Sequence, residues 1–79
     1  MPVKKYEPSE KDAKNIESNF KHHEPDDGQI AKLNDVRTLH RALALKLTEL
    51  CPPSRELSVA LTQLETSMFW ANAAIARNE

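Results

Sequence analysis

The stretch that decides the fold runs from Glu49 to Arg77 and reads ELCPPSRELSVALTQLETSMFWANAAIAR. Its apolar residues recur at alternating steps of four and three, the spacing with which one helix presents a seam to another. Ser54 is a predicted N-cap, and the Cys-Pro-Pro run at residues 51–53 breaks the chain ahead of it. The stretch therefore predicts a chain reversal followed by a helix over residues 54–77. Its seam residues are Leu57, Leu61, Leu64, Met68, Ala71 and Ile75.

A second helical pattern precedes this reversal and extends over residues 26–50. Because its apolar residues follow the same steps, and because two prolines separate the patterns, the two helices are predicted to form an antiparallel hairpin. His40 occupies one seam position; a pH-sensitive or ligand-binding role is the alternative, but we interpret it as a hydrogen-bonded histidine without assigned function. This second seam consists of Leu33, Val36, His40, Leu43, Leu47 and Leu50.

A short helix is predicted ahead of the hairpin, over residues 9–19. Ser9 and Asp12 have the spacing of a capping box, which favours a helix start. So short a helix is marginal in water and depends on contacts with other elements. We therefore expect its apolar stripe to lie on the hairpin. The stripe consists of Ala13, Ile16 and Phe20.

The predicted fold class is all-α: a single helical-hairpin domain over residues 1–79, in which a short N-terminal helix is followed by a long antiparallel helical hairpin. Residues 1–8 are polar and end in a proline, which predicts an extended arm. In this arm, Lys4, Lys5 and Tyr6 form either a solvated tail or a basic and aromatic group that folds over a nucleotide.

The chain is too small for an isolated hairpin to be stable. It has 79 residues and a single cysteine, Cys51, so neither an intrachain disulfide nor a cysteine-rich zinc site is available. Trp70 lies among alanines near the end of the last helix, where a neighbouring backbone can approach closely. Leu39, Ala42 and Leu45 lie off the seam and indicate a second buried face. These features predict assembly into a compact helical oligomer.

Composition argues against several classes of function. Lys and Arg number 11 and Asp and Glu number 12, and this balance does not favour a protein that grips long nucleic acid. No apolar run reaches the length of a membrane span, and the first residues lack the apolar core of a signal peptide, so we expect a cytoplasmic protein. A small anionic ligand remains compatible, because a few placed cations can bind two or three phosphates.

Catalytic and metal chemistry have little support in the sequence. Gly28 is the only glycine, so there is no glycine-rich phosphate loop. His22 and His23 have no partner at useful spacing, and Cys51 has no identifiable base. We therefore predict no catalytic residue, no metal and no cofactor. The physical pattern alone fits a structural helical-hairpin assembly protein.

Several motifs together resemble one family. The run ELCPPSRE is followed by LT, a short LE spacing and WANAAIARN, and an upstream Phe-x-x-His-x-Pro pattern is formed by Phe20, His23 and Pro25. This combination is similar to the helical-hairpin family of phage proteins that sequester cyclic nucleotide signals. The family contains anti-CBASS sponges and the hairpin domain of a Thoeris anti-defence sponge, which binds cyclic ADP-ribose isomers. The resemblance covers residues 20–79.

The resemblance implies a ligand sponge, which holds a cyclic oligonucleotide without cleaving it and so blocks bacterial CBASS immunity. It implies a homo-oligomer, a hexamer in the family, with cyclic dinucleotides such as cyclic GMP-AMP and cyclic trinucleotides bound in separate pockets between protomers. The implied location is the cytoplasm of the infected bacterial host. The alternatives are a sponge for cyclic ADP-ribose isomers of Thoeris defence and the purely structural assembly protein.

The resemblance also suggests ligand-binding residues. Arg55 matches the arginine of the Ser-Arg-Glu motif, and its planar guanidinium suits bidentate phosphate binding, with an intersubunit ion pair as the alternative. Glu24 departs from the family, since a cationic or neutral residue would suit phosphate better; Lys21 or the arm with Tyr6 would compensate. The family's pocket loop corresponds to Lys21, His22, His23, Glu24, Pro25 and Asp26.

Overall fold

The computed structural model describes residues 5–79, so the prediction for Lys4 lies outside the described part of the chain. Three α-helices follow one another: α1 (Glu10–Phe20), α2 (Asp27–Leu50) and α3 (Arg55–Asn78). Residues 5–79 contain no strand, and none of their helices is long and apolar enough to cross a membrane. The all-α class and the short helix followed by a long antiparallel hairpin are confirmed.

The reversal between α2 and α3 is closed by local hydrogen bonds. Cys51 caps α2, and its backbone N–H donates to the carbonyl oxygen of Leu47 over 2.9 Å. The Ser54 hydroxyl accepts from the backbone N–H of Leu57 over 3.1 Å, which confirms Ser54 as the N-cap of α3. The two prolines thus lie between the hydrogen-bonded C-terminus of α2 and the capped N-terminus of α3.

A complete capping box lies at the start of α2. The carboxylate of Asp26 accepts from the backbone N–H of Gln29 over 2.8 Å, and the Asp26 N–H donates to the Gln29 side chain over 3.1 Å. At the start of α1, the Ser9 hydroxyl accepts from the backbone N–H of Asp12 over 3.1 Å. Asp26 therefore fixes where the hairpin begins.

All six seam residues predicted on α3 are half-buried, but the seam of α2 differs from the prediction. Leu43 and Leu50 are 48% and 69% exposed, and the half-buried residues next to them are Ala44 and Cys51. The prediction is wrong at these two positions because it assumed a strict repeat of seven. A straight α-helix drifts by about 20° per heptad against that repeat, so the inward position moves on by one residue.

His40 is hydrogen-bonded on both sides of its ring. Its Nδ1 lies 2.8 Å from the carbonyl oxygen of Val36, which can only accept, so the hydrogen-bond network assigns the proton to Nδ1. Its Nε2 lies 3.1 Å from the hydroxyl of Ser67 on α3 and accepts from it. This confirms the interpretation of His40 as a hydrogen-bonded seam histidine.

At the open end of the hairpin, Glu79 contacts the first turns of α2. The Gln29 amide donates to the backbone oxygen of Glu79 over 3.2 Å, and Lys32 forms an ion pair with the Glu79 carboxylate. Since α2 and α3 each have 24 residues, roughly 36 Å separates this end from the turn that precedes Arg55.

The apolar stripe of α1 does not lie on the chain's own hairpin, contrary to the expectation from sequence. Ile16 is 52% and Phe20 is 85% exposed. No described side chain is fully buried, and the accessible surface is 7037 Å². A compact globule of this mass would expose about 4,900 Å². The single chain therefore presents about 2,100 Å² more surface than a compact globule would.

Candidate functional site

The loop that joins α1 to α2, residues 21–26, borders a small cleft. The cleft has a volume of about 260 Å³ and lies against one face of α1 at its C-terminal end. Two cations and a histidine meet there with one acid, so the cleft has the donors that a small anion needs. It is lined by Lys14, Glu17, Ser18, Lys21 and His23.

His23 holds this loop against the end of α1. Its ring Nε2 donates to the carbonyl oxygen of Ser18 over 2.7 Å, and the side chain is half-buried. The Ser18 carbonyl is one of the last four of α1, which have no partner within the helix. His23 thus closes the helix end and keeps its second ring nitrogen, Nδ1, for another contact.

The other residues of the predicted loop have different surroundings. Asp26 is committed to the capping box of α2. His22, Glu24 and Pro25 are exposed, and they form no hydrogen bond or ion pair with residues 5–79. Of the six loop residues predicted to bind ligand, the structure brings Lys21 and His23 together in the cleft.

Arg55 and Tyr6 lie outside the cleft. Arg55 is the first residue of α3, beside the N-cap Ser54, and its exposed side chain makes no hydrogen bond or ion pair with the described residues. It lies at the turn of the hairpin, roughly 36 Å from the loop of the same chain. Tyr6 is in the extended segment before α1 and is 79% exposed.

Lys14 was missed in the sequence analysis, although its spacing carries a signal. Lys14 and Ser18 lie four residues apart on one face of α1, and Lys21, three residues further on, follows directly after the end of the helix. Sequence reasoning followed the apolar stripe of α1 and left its polar face unassigned.

A second concave surface, which we call the interhelical groove, runs between α2 and α3. It has a volume of about 350 Å³, an apolar floor and charged walls. Arg37 and Arg41 line the α2 wall, and Glu65 lines the α3 wall. Sequence reasoning did not predict this groove. The remaining lining residues are His40, Ala44, Leu61, Leu64 and Met68.

No group of three or more His, Cys, Asp or Glu side chains within residues 5–79 is placed to hold a metal ion. The cleft at the end of α1 offers cationic side chains and hydrogen-bond donors, which can pair with and hydrogen-bond to an anion.

The comparisons with known proteins identify one family. The family model described as "Acb2/Tad1, hairpin domain" matches residues 12–76. No curated protein and no solved structure matches the chain. The matched segment takes in most of α1, which the resemblance from sequence, starting at Phe20, did not include. Because it also contains the loop and nearly all of both long helices, the chain belongs to the Acb2/Tad1 hairpin-domain family of anti-CBASS and anti-Thoeris sponges.

Proposed function

We propose that this chain binds cyclic oligonucleotide second messengers and holds them intact, so that they do not reach the effector proteins of bacterial anti-phage defence. The observation that carries this proposal is the family match over residues 12–76, because sponge binding of cyclic oligonucleotides is what the family implies. The cleft with Lys14, Lys21 and His23 supports it, since it offers donors to an anion.

A sponge needs no reaction chemistry. It acts by mass action: the protein must be abundant, bind tightly and release slowly, and the signal remains whole. The expected site of action is the cytoplasm of the infected host. We propose no catalytic residue, metal or cofactor for this activity.

The proposed pocket lies between protomers. Within one chain the loop at residues 21–26 and Arg55 are roughly 36 Å apart, which is more than a cyclic dinucleotide spans. An antiparallel neighbour places its own Arg55 beside this loop, and a closed oligomer repeats the arrangement. We propose a homo-oligomer, a hexamer, in which Arg55 of one protomer and Lys21 and His23 of another bind the same ligand.

The ligands we propose are cyclic dinucleotides such as cyclic GMP-AMP, together with cyclic trinucleotides in a separate pocket, which would make the target CBASS immunity. The second candidate is a sponge for the cyclic ADP-ribose isomers of Thoeris defence, because the matching family description names both Acb2 and Tad1. Glu24 in the loop disfavours phosphate unless it turns away or is protonated, so the other loop residues, Tyr6 among them, would carry the contact.

The test combines binding with recovery of the ligand. Melting the protein with cyclic di- and trinucleotides and cyclic ADP-ribose isomers ranks them, because a ligand that binds only the native state raises the melting temperature. The bound ligand is then released by denaturation and identified by mass spectrometry. We expect the intact cyclic form. Linear product that increases with protein and time would make the chain an enzyme, and no shift with any of these ligands would contradict the proposal.

A further inference from the structure

Two largely apolar surfaces of the chain lack a partner within the described residues. One is the apolar stripe of α1, whose residue Phe20 is 85% exposed. The other is the interhelical groove, with Leu61, Leu64 and Met68 on its floor. An amphipathic helix that lays its apolar face into a groove between two other helices is a common mode of protein recognition.

The lengths of the two surfaces agree. The stripe extends over eight residues, or seven helical steps, from Ala13 to Phe20, and the α2 wall of the groove extends over the same number from Arg37 to Ala44. At 1.5 Å rise per residue, both are about 10 Å long. The two turns of α1 that carry the stripe therefore span the charged part of the groove.

The charges beside the stripe also match the walls of the groove. At 100° per residue, Glu17 lies about 40° beyond the stripe on one side, level with its middle. Asp12, in the first turn of α1, and Asn19 lie on the other side. With Glu17 toward the α2 wall, its carboxylate meets Arg37 and Arg41, and Asn19 faces Glu65.

Both arginines are available for such a contact. Arg41 makes no hydrogen bond or ion pair with residues 5–79, and the one hydrogen bond of the Arg37 side chain there is a long one of 3.4 Å to Asn34. The opposite placement of α1 would bring Glu17, which lies beside the middle of the stripe, against Glu65, and would offer the arginines only Asp12 at the N-terminal end of the stripe, so it is disfavoured.

We take the occupant of the groove to be a second copy of the chain, because the exposed area is large enough for such an interface. The chain exposes about 2,100 Å² more surface than a compact globule of its mass would. This excess is larger than the roughly 800 Å² that each partner buries in a standard interface. Within its own chain, α1 is joined to α2 by a loop that His23 holds against the end of α1, and the stripe lies open. We propose that α1 of one protomer docks into the interhelical groove of another, with Glu17 facing Arg37 and Arg41.

This docking would place the cleft of Lys14, Lys21 and His23 against the neighbouring hairpin. The inference thus rests on the proposed function and adds detail to the proposed pocket between protomers. The inference concerns assembly alone. It is tested without ligand, so its failure is separable from a failure of ligand binding.

The experiment uses disulfide trapping between two full-length chains of different mass, both in a Cys51→Ser background. One chain carries Ile16→Cys, in the middle of the stripe, and the other carries Leu64→Cys, on the groove floor. After mixing and mild oxidation, we expect a covalent dimer of mixed mass. The matched control replaces Leu64→Cys by Val59→Cys, an exposed position of α3 outside the groove, and should give much less of this dimer.

Charge reversal provides the second measurement. Arg41→Glu should weaken self-association about tenfold or more in sedimentation equilibrium, and adding Glu17→Arg should restore most of it. Helicity by circular dichroism checks that each variant folds. The proposal is overturned if a chain with both Ile16→Cys and Leu64→Cys forms only an intrachain disulfide. It is also overturned if the mixed dimer forms no faster than with Val59→Cys. Failure of Glu17→Arg to restore the self-association lost in Arg41→Glu would overturn it as well.

Discussion

Nε2 of His23 lies 2.7 Å from the carbonyl oxygen of Ser18, so the loop before the hairpin is anchored to the helix that precedes it. The histidine therefore has a structural role at the place where sequence suggested a ligand contact. Because one nitrogen is used in the anchor and the other is not, the same side chain can position the loop and contact an anion.

The first prediction separates these two roles of His23. His23→Ala should lower the free energy of unfolding by about 1 kcal/mol, because the Ser18 carbonyl loses its hydrogen bond, and should also weaken ligand binding. His22→Ala is the matched control, since His22 is exposed and makes no hydrogen bond with the described residues. Thermal melting and calorimetric titration measure the two effects. Equal melting temperatures for the two variants would contradict the anchoring role.

The second prediction concerns charge in the cleft. Lys14→Ala and Lys21→Ala should each reduce affinity for a cyclic dinucleotide about tenfold, since a hydrogen bond to a charged group contributes about 1.5–3 kcal/mol. Lys46→Ala is the control: Lys46 pairs with Glu49 on the exposed face of α2, outside the cleft. Titrations at two salt concentrations measure the loss. Unchanged affinity in both cleft variants would place the ligand elsewhere.

The third prediction tests whether Arg55 acts on a neighbour's loop. Arg55→Ala should lose about 10- to 100-fold in affinity while the oligomer survives, because Arg55 has no partner among the described residues. Subunits with Arg55→Ala are then mixed with subunits carrying Lys21→Ala. Some mixed interfaces would contain one intact pocket, so part of the binding should return. Fully mixed assemblies without any recovery would assign Arg55 to a separate site or to a structural role.

The fourth prediction is that Trp70 contributes to assembly rather than to the fold of one chain. Its side chain is 66% exposed in the single chain, so Trp70→Ala should weaken association by about 2 kcal/mol or more, and helix content should fall only where the oligomer dissociates. Light scattering across a dilution series measures the mass, with Lys46→Ala as the control. A variant that keeps the parent's mass at every concentration would exclude Trp70 from the interface.

The fold could be predicted from sequence where the spacing of apolar residues and the capping residues indicated the same helix. The seam of α3 and the Ser54 cap could be predicted because spacing and capping chemistry agree at those residues. The seam of α2 could be predicted at Leu33, Val36, His40 and Leu47 but not at Leu43 and Leu50. Leu43 and Leu50 are the more apolar choices at their positions, but the drift of a straight helix turns Ala44 and Cys51 inward instead.

The candidate site was less predictable, because it depends on which elements meet. Sequence pointed to Lys21 and His23 through the family pattern, and the structure adds Lys14 from the polar face of α1. Asp26 was assigned to ligand binding, but an Asp three residues before a Gln at a helix start is also the signature of a capping box, which is what it forms. The stripe of α1 was expected to lie on the chain's own hairpin, but Ile16 and Phe20 are exposed in the single chain.

The hydrogen bond between His40 and Ser67 has a consequence for the precision of the whole hairpin. An apolar seam of similar side chains permits one helix to slide past the other by a turn at little cost, whereas a polar group in a seam specifies a single register. Sliding would leave the His40 ring facing apolar side chains without a donor. By selecting one alignment of α2 against α3, this pair sets how far Arg55 stands from the loop, and hence the spacing that every neighbouring copy must match.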